Sequence, residues 1–541
     1  MYVHTIPNRK SPPAILLREA YREGGKSKSR TIANISGWAP ERIEALARAL
    51  KGEFDGVGSV DPIADRIFGV LFALKELADR IGLSRVLGKT RLGKLVLFLV
   101  LARIADQGSR LSAARWARDH CVAEILGLDD FNEHDLYRAL DWLAARQDEF
   151  ESKLYRNYKR WKDPKNILVL YDVTSSYLEG QRNEYGEYGY DRDKKKGKKQ
   201  IVIGLLTGPD GEPLSVKVFK GNTSDPSTVS TQIETLRDRF GVKDVVFVGD
   251  RGMVKSKCKE ALFENGFKYI TALTDPQIRK LLKQNVIQLD LFDTTVCEVG
   301  HGNVRLVLRK NEAVSRKEAR RREDKLDRLR ELIAKRNEFV VNSQRADPEA
   351  GLRKLNKWAA RHKLSSFIRL SLDNNGIALI VDEDAQSEAG LLDGCYVMET
   401  DVSAEMMNAE TVDERYRSLH QVERDFRSLK NGALEVRPVY VRKKVHTRAH
   451  VFVAMLALKI IRHAESLLKD AAEQSTDPLR LPDALRTMSR LCFLRYTIKG
   501  MEFLRLPQLD PRQIAVCNAL SIRPPKNKTS RPMSADAVSR Q

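Results

Sequence analysis

Between residues 164 and 275 five short apolar runs, NILVLYD, IVIGLLT, PLSVKVF, DVVFVGD and KYITALT, alternate with turn and helix signals. Runs of this length bounded by turn residues predict buried strands rather than helices. IVIGLLT and PLSVKVF flank GPDGE, a hairpin signal. NTSDPSTVSTQIETLRDRFG offers Ser224 or Asp225 as a helix cap, Pro226 in the first turn and Gly241 past the end. SKCKEALFENG supplies a second helix. The resulting order is strand, hairpin, helix, strand, helix, strand, which demands an α/β unit built on a mixed sheet.

That order is the one expected of a ribonuclease-H-like core, and its flanks differ in texture. Residues 56–163 repeat apolar positions at three and four, as in IFGVLFALKELADRIGL, and predict a helical DNA-binding region or a plain helical packing domain. Residues 1–55 form a small basic segment with a turn at REGGKSKSR and a helix at PERIEALARAL. Its GGKS does not complete a phosphate-binding loop, because position 20 is Ala where that loop needs Gly. The core, 164–275 in its first part, is interrupted over 276–410 by a mixed α+β insertion. That stretch holds a hairpin at Gly302-Asn303, a charged helix at 315–339 with Leu326, Leu329 and Ile333 on one face, and a hairpin at Asn375-Gly376. Residues 411–470 resume the core in helices, 471–522 form a helical C-terminal region, and 523–541 make a basic disordered tail.

Charge narrows the partners. Lys+Arg number 94 against 73 Asp+Glu, giving +21 and a pI near 9.6. Neutralising phosphates releases condensed counterions, so such a chain favours nucleic acid, with an anionic membrane or RNA-rich particle as competitor. Six scattered cysteines without a C-x-x-C pair exclude a zinc ribbon or disulfide scaffold and fit a reducing compartment. The longest apolar runs, LVLFLVLA and VFVAMLAL, fall far short of the ~20 residues of a membrane span, so the chain reads as a cytoplasmic protein.

Two of the strand runs stop on a carboxylate, Asp172 and Asp250. An Asp there is also an ordinary turn former. On adjacent strands, however, the pair would project at one end of the sheet as a hard oxygen site for Mg2+ or Mn2+. A third carboxylate would complete a two-ion clamp. In ERYRSLHQVERDFRSLKN, Tyr416, Glu423 and Lys430 recur every seven residues, close to two helical turns, and Arg427 follows Glu423 by four. The same spacing also suits a solvated helix with a Glu–Arg pair. His446 and His450 are four apart but lack the H-E-x-x-H arrangement of a zinc site. DRDKKKGKKQ, with Lys194, Lys195, Lys196, Lys198 and Lys199, follows Tyr185, Tyr188 and Tyr190 and predicts a DNA backbone contact.

Together these residues resemble the DDE transposases of bacterial insertion sequences, in the branch with a Tyr-x2-Arg-x3-Glu-x6-Lys signature. The matching pieces are YDVTSSYLEG, GYDRDKKKGKKQIVIGLLTGPDGEPLSVKVFKGNTSD, VGDRGMVKS, LDGCYVMETD and YRSLHQVERDFRSLK, in family order over roughly 170 to 460. REGGKSKSRTIANI is a weaker match near the start. Leu419 stands where the signature has arginine, which leaves Arg415, Arg417, His420 or Arg427 to supply that charge.

The resemblance implies a ribonuclease-H-like fold with an insertion before the glutamate helix. It also implies Asp172, Asp250 and Glu423 as the catalytic, metal-binding triad for two Mg2+ (or Mn2+) ions. Tyr416 and Lys430 would hold the element end, and Thr174, in the turn after Asp172, would support the carboxylate. The expected activity is DNA cleavage at the element ends and strand transfer into target DNA. The expected partners are double-stranded DNA, as terminal inverted repeats and target, and a second copy in a homodimeric synaptic complex at the bacterial nucleoid. A catalytically silent DNA-binding descendant and a structure-specific nuclease without joining are the alternatives.

Overall fold

The structure, a computed structural model, describes residues 1–8, 12–24, 26–51, 63–162, 167–242, 245–292, 296–343, 347–373, 376–430, 434–437, 439–473, 477–498 and 501–525. The expected tail lies almost wholly outside the described residues, as does Asn375. The chain divides into two compact units, one of residues 1–70, 119–121 and 482–541, the other of 71–118 and 122–481.

The first unit holds two three-stranded antiparallel sheets. In one, strands Tyr2–Ile6, Ala14–Glu23 and Lys26–Asn34 lie in sequence order. The expected turn at 22–30 is present, at Gly24 with φ 58°, but it joins two long strands that were not anticipated. The helix expected at PERIEALARAL runs Pro40–Lys51. In the other sheet, Cys492–Ile498 pairs with both Met501–Arg505 and Ile63–Ile67. This corrects two expectations, that 56–163 is helical throughout and that 471–522 is purely helical. CFLRYTI has strand-type residues, but its second partner lies at the other end of the chain, where no local pattern can signal the pairing.

The second unit is organised by one eight-stranded sheet. Its strands are β1 (Ile167–Tyr177), β2 (Gln200–Thr207), β3 (Pro213–Lys220), β4 (Val245–Gly249), β5 (Lys268–Ala272), β6 (Cys297–His301), β7 (Val304–Lys310) and, after the hairpin β8 (Ile368–Asp373) and β9 (Gly376–Val381), β10 (Cys395–Thr400). The spatial order is β6-β7-β10-β5-β4-β1-β2-β3. β3, β2 and β1 are antiparallel neighbours, while β1, β4 and β5 run parallel. The order β3-β2-β1-β4-β5 is that of a ribonuclease-H-like sheet, so the fold is the mixed α/β class expected. β2 and β4 are buried at every residue, as strands covered on both faces must be. Gly204 on β2 is required by close approach, since a Cβ there would lie 2.3 Å from the Tyr171 hydroxyl.

From β1 onward the α-helices of this unit are α1 (Asp225–Glu234), α2 (Ser256–Glu264), α3 (Asp275–Lys283), α4 (Glu312–Asn342), α5 (Pro348–Arg361), α6 (Glu383–Gly390), α7 (Ala409–Arg417), α8 (Leu419–Lys430) and α9 (Lys444–Ala472). α8 packs on β1, and α9 packs on β3 and on two preceding helices, Arg91–Ala105 and Glu133–Ala145. The hairpin β6–β7 and strand β10, expected inside an insertion spanning 276–410, instead extend the main sheet through β5. What packs separately is α4, α5, the β8–β9 hairpin and α6. There Leu326, Leu329 and Ile333 meet Leu355, Ala359, Phe367, Leu370 and Ile377 in a core of their own. The charged helix thus buries the predicted face and exposes the rest. Among the described residues no helix is long and apolar enough to cross a membrane.

α9 also buries His450. Its Nδ1 accepts from Arg110 at 2.6 Å, and its Nε2 donates to Val436 O at 3.3 Å, so the ring is neutral and has no electron pair left for a metal. Burial, then the charges of Arg110 and Arg103, hold its pKa well below the ordinary imidazole value. The unfolded chain takes up that proton near pH 6.5 and the folded one does not. The stability is therefore complete above pH ~6.5 and falls as pH drops, by about 1.4 kcal/mol per pH unit. Urea midpoints between pH 7.5 and 5.5 should show a shallower loss for His450→Gln than for the wild type; parallel curves would refute the assignment.

Candidate active site

β1 explains why Asp172 is where it is. The parallel pairing of β1 with β4 ends at Tyr171 opposite Gly249, and the next residues are Asp172 and Asp250. Both carboxylates therefore leave the sheet at the same end. β1 itself does not stop there. Residues Val173–Tyr177 continue in register with β2, Thr174 opposite Ile203, so the Thr and Ser expected to form a turn are strand residues. The hydroxyl-rich sequence misled because β1 loses one neighbour at Asp172 and keeps the other. Thr174 is buried two residues on, on the Asp172 side of the strand by alternation.

The carboxylate-bearing helix is two helices. The helix is interrupted at Ser418, so Tyr416 lies in the last turn of α7 and Glu423 in the second turn of α8. Both still line one cavity of about 1080 Å3 together with Asp172 and Asp250. Asp172 Oδ1 accepts from Val173 N at 2.7 Å, and Asp250 Oδ1 from Arg251 N at 2.6 Å. The Tyr416 hydroxyl donates to Asp250 Oδ1 at 3.4 Å, and its pKa is pushed up by burial and then by that charge. Burial first, then the charges of Asp250 and Glu423, push the Asp172 carboxyl up to about 7 against the opposing Val173 N–H. The three acids are thus electrically coupled across the cavity.

An all-oxygen set of this kind suits a hard divalent cation, which would offset the repulsion raising Asp172. Among the described residues no three His, Cys, Asp or Glu side chains are drawn together tightly enough to hold an ion as they stand. The donor chemistry of the three carboxylates fits Mg2+ or Mn2+.

Residues 163–460 match the family of the transposase DDE domain. The chain belongs to that family. Residues 3–60 of this transposase match the IS1634 family transposase N-terminal domain, which places it with insertion-sequence enzymes. Among solved structures it is similar to a piggyBac transposase synaptic complex with hairpin DNA, at 7% identity over 80% of this chain and 82% of that one, with a TM-score of 0.36. It is also similar to the Mos1 transposase paired-end complex with left transposon end, at 9% identity over 30% and 55% of the two chains and a TM-score of 0.15. No curated protein matches the sequence.

The remaining expected contacts of this transposase are scattered. Lys430 does not line the cavity; its ammonium donates to Asp193 Oδ1 at 2.9 Å, beside Arg437 at 2.5 Å. Asp193 Oδ2 accepts from Tyr177 N at 3.0 Å, so this buried acid ties the lysine loop to the end of α8. Burial lowers the Lys430 pKa, with Asp193 opposing. In the loop, Lys194, Lys195 and Lys196 are exposed, Lys198 pairs with Glu179 at 2.7 Å, and Lys199 lies over the Tyr188 ring. Arg427 is exposed and outside the cavity. Of the four groups considered for the missing signature arginine, Arg417 and His420 line the cavity and Arg415 lines another pocket.

Sequence reasoning passed over Asp413. Fully buried on α7, it accepts from Tyr396 Oη at 3.0 Å and pairs with Arg417 at 3.0 Å and with Arg309 of β7. Its four-residue spacing to Arg417 was legible; its link to β7 was not.

Proposed function

We propose that this transposase cuts DNA phosphodiesters at the ends of its element and joins the freed ends to target DNA. The observation that carries the reading is the convergence on one cavity of Asp172, Asp250 and Glu423, from a strand, a strand end and a helix, inside the family-matching region. Asp172, Asp250 and Glu423 would hold the Mg2+ or Mn2+ ions. Bound ions supply activation of the attacking hydroxyl and neutralisation of charge on the phosphate in transit. Tyr416 hydrogen-bonds Asp250 and presents its ring to the cavity, where it orients the end. Arg417, fixed by Asp413, brings a cation to the wall beside it. Thr174 supports β1 behind Asp172, and Lys194, Lys195, Lys196, Lys198 and Lys199 with Arg427 hold the duplex backbone outside the cavity. Lys430 acts by holding Asp193 and hence that loop.

Recognition of the terminal repeats is assigned to the region 56–163, through its exposed surfaces rather than helix Arg91–Ala105, which is enclosed over most of its length. Two ends must meet, so the working form is a homodimer with both duplexes bound. The test is incubation of purified protein with labelled end fragments and target plasmid, with Mg2+, with Mn2+ and with chelator. Metal-dependent nicks at the end and joined products are expected. Nicks without joining would support a plain nuclease, and salt-sensitive binding without nicks a silent descendant.

A further inference from the structure

Part of the lining of the same cavity belongs to the separately packed α4–α6 part. Arg321 and Lys325 of α4 and Lys363, just after α5, line it. Three other cations of α4 have partners: Arg322 pairs with Asp393, Arg328 with Glu331 at 2.5 Å, and Arg330 with Asp327 at 2.7 Å. Arg321, Lys325 and Lys363 have no carboxylate within ion-pair reach among the described residues. The acids on this side of the cavity have partners of their own. Glu318 accepts from Gly394 N at 2.9 Å, Asp275 pairs with Arg251 at 2.9 Å, Glu388 with Arg279 at 3.8 Å, and Asp393 with Arg322. Glu318 keeps its charge beside the neutral Gly394 amide, so this side of the cavity carries three unpaired cations against one unpaired carboxylate.

Lys363 sits in a conformation that lysine does not favour. Its φ is 62°, and Lys363 N and Leu364 N close the end of α5 onto Ala360 O and Ala359 O. Glycine fills this left-handed position without strain. Arg321 and Lys325 are four residues apart, about 6 Å along the helix, the scale on which successive phosphates of one DNA strand are spaced.

We propose that Arg321, Lys325 and Lys363 form a phosphate-binding wall that takes the backbone of the DNA strand being cut, in the cavity shared with the three carboxylates. This rests on the reading of the cavity as the site of DNA cleavage. The partner is a phosphodiester chain, because the charges are unpaired, point into a space shared with the carboxylates and match its repeat.

The experiment measures end-DNA binding against salt in chelator, where cleavage plays no part. The triple variant Arg321→Ala, Lys325→Ala, Lys363→Ala should lower the slope of log K against log salt by about 2–3, since each lost phosphate contact removes about 0.7–0.9. The control Arg328→Ala, Arg330→Ala, Arg353→Ala removes the same charge from paired positions and should change the slope by less than about 0.5. Equal slopes for the two triples would overturn the wall and leave the cleavage reading intact. A selective drop without metal-dependent cleavage by the wild type would keep the wall and remove that reading. If the triple does not fold, each single substitution should still lower the slope by about 0.7–0.9. Lys363→Gly gives a second readout, weaker DNA binding with an unchanged or raised melting temperature; a fall in melting temperature with unchanged binding would mark Lys363 as structural.

Discussion

Asp172→Asn abolishes metal-dependent end cleavage, a loss of at least about 10³-fold, while leaving the fold intact. The expectation follows from the position of the carboxylate rather than from its residue type. Asn fills the same space on β1 and cannot serve as an anionic metal ligand. Losing several kcal/mol of charge stabilisation at the phosphate is a loss of this order, since each 1.36 kcal/mol is tenfold in rate. Asp250→Asn and Glu423→Gln should lose comparable activity. The metal-free proteins should behave in the opposite way. Burial and two neighbouring acids disfavour the Asp172 anion, so its removal relieves repulsion. Asp172→Asn should therefore melt at or above the wild-type temperature in chelator and lose the rise that Mn2+ gives the wild type. Near wild-type cleavage by any one of the three folded variants would remove that residue from the triad.

Asp413→Ala should destabilise the second unit by about 3–5 kcal/mol, the cost of leaving a buried pair without one member. Asp413 is 0% exposed and serves three donors, so its loss strands Arg309 and the Tyr396 hydroxyl against α7. Urea denaturation measures the loss. A cycle with Arg309→Met should give a coupling energy above about 1 kcal/mol, because groups in one network are not additive. The same substitution frees the end of α7, where Tyr416 and Arg417 enter the cavity, and should lower cleavage beyond the effect on folding. A loss below about 1 kcal/mol would show that Asp413 is not the anchor of α7.

The central strands of the sheet were legible because they are short apolar runs, buried at every residue in β2 and β4, and the turns between them are chemically explicit. Asp172 and Asp250 were legible for a related reason. Parallel neighbours put their C-terminal ends together, so two runs that each reach a carboxylate deliver both to one edge. The helix face from Tyr416 to Lys430 was only half right. Tyr416 and Glu423 share the cavity across the helix break at Ser418, whereas Lys430, about 10 Å farther along α8 than Glu423, is taken up by Asp193. The reading of 276–410 as one insertion failed because a hairpin looks the same in sequence whether it stands alone or continues a sheet.

By itself the sequence determined the element types of the core, the end of the sheet at which chemistry could sit, and the excess of positive charge that calls for a polyanion. These depend on local periodicity and on composition. The tertiary structure decided that β6, β7 and β10 join the main sheet, and that Asp193 takes Lys430 out of the cavity. It also decided that Asp413 ties α7 to β7 and that three unpaired cations of the α4–α6 part line the same cavity as the carboxylates. Each of these depends on which distant side chains share a low-dielectric interior or one enclosed space, and no local pattern carries that information.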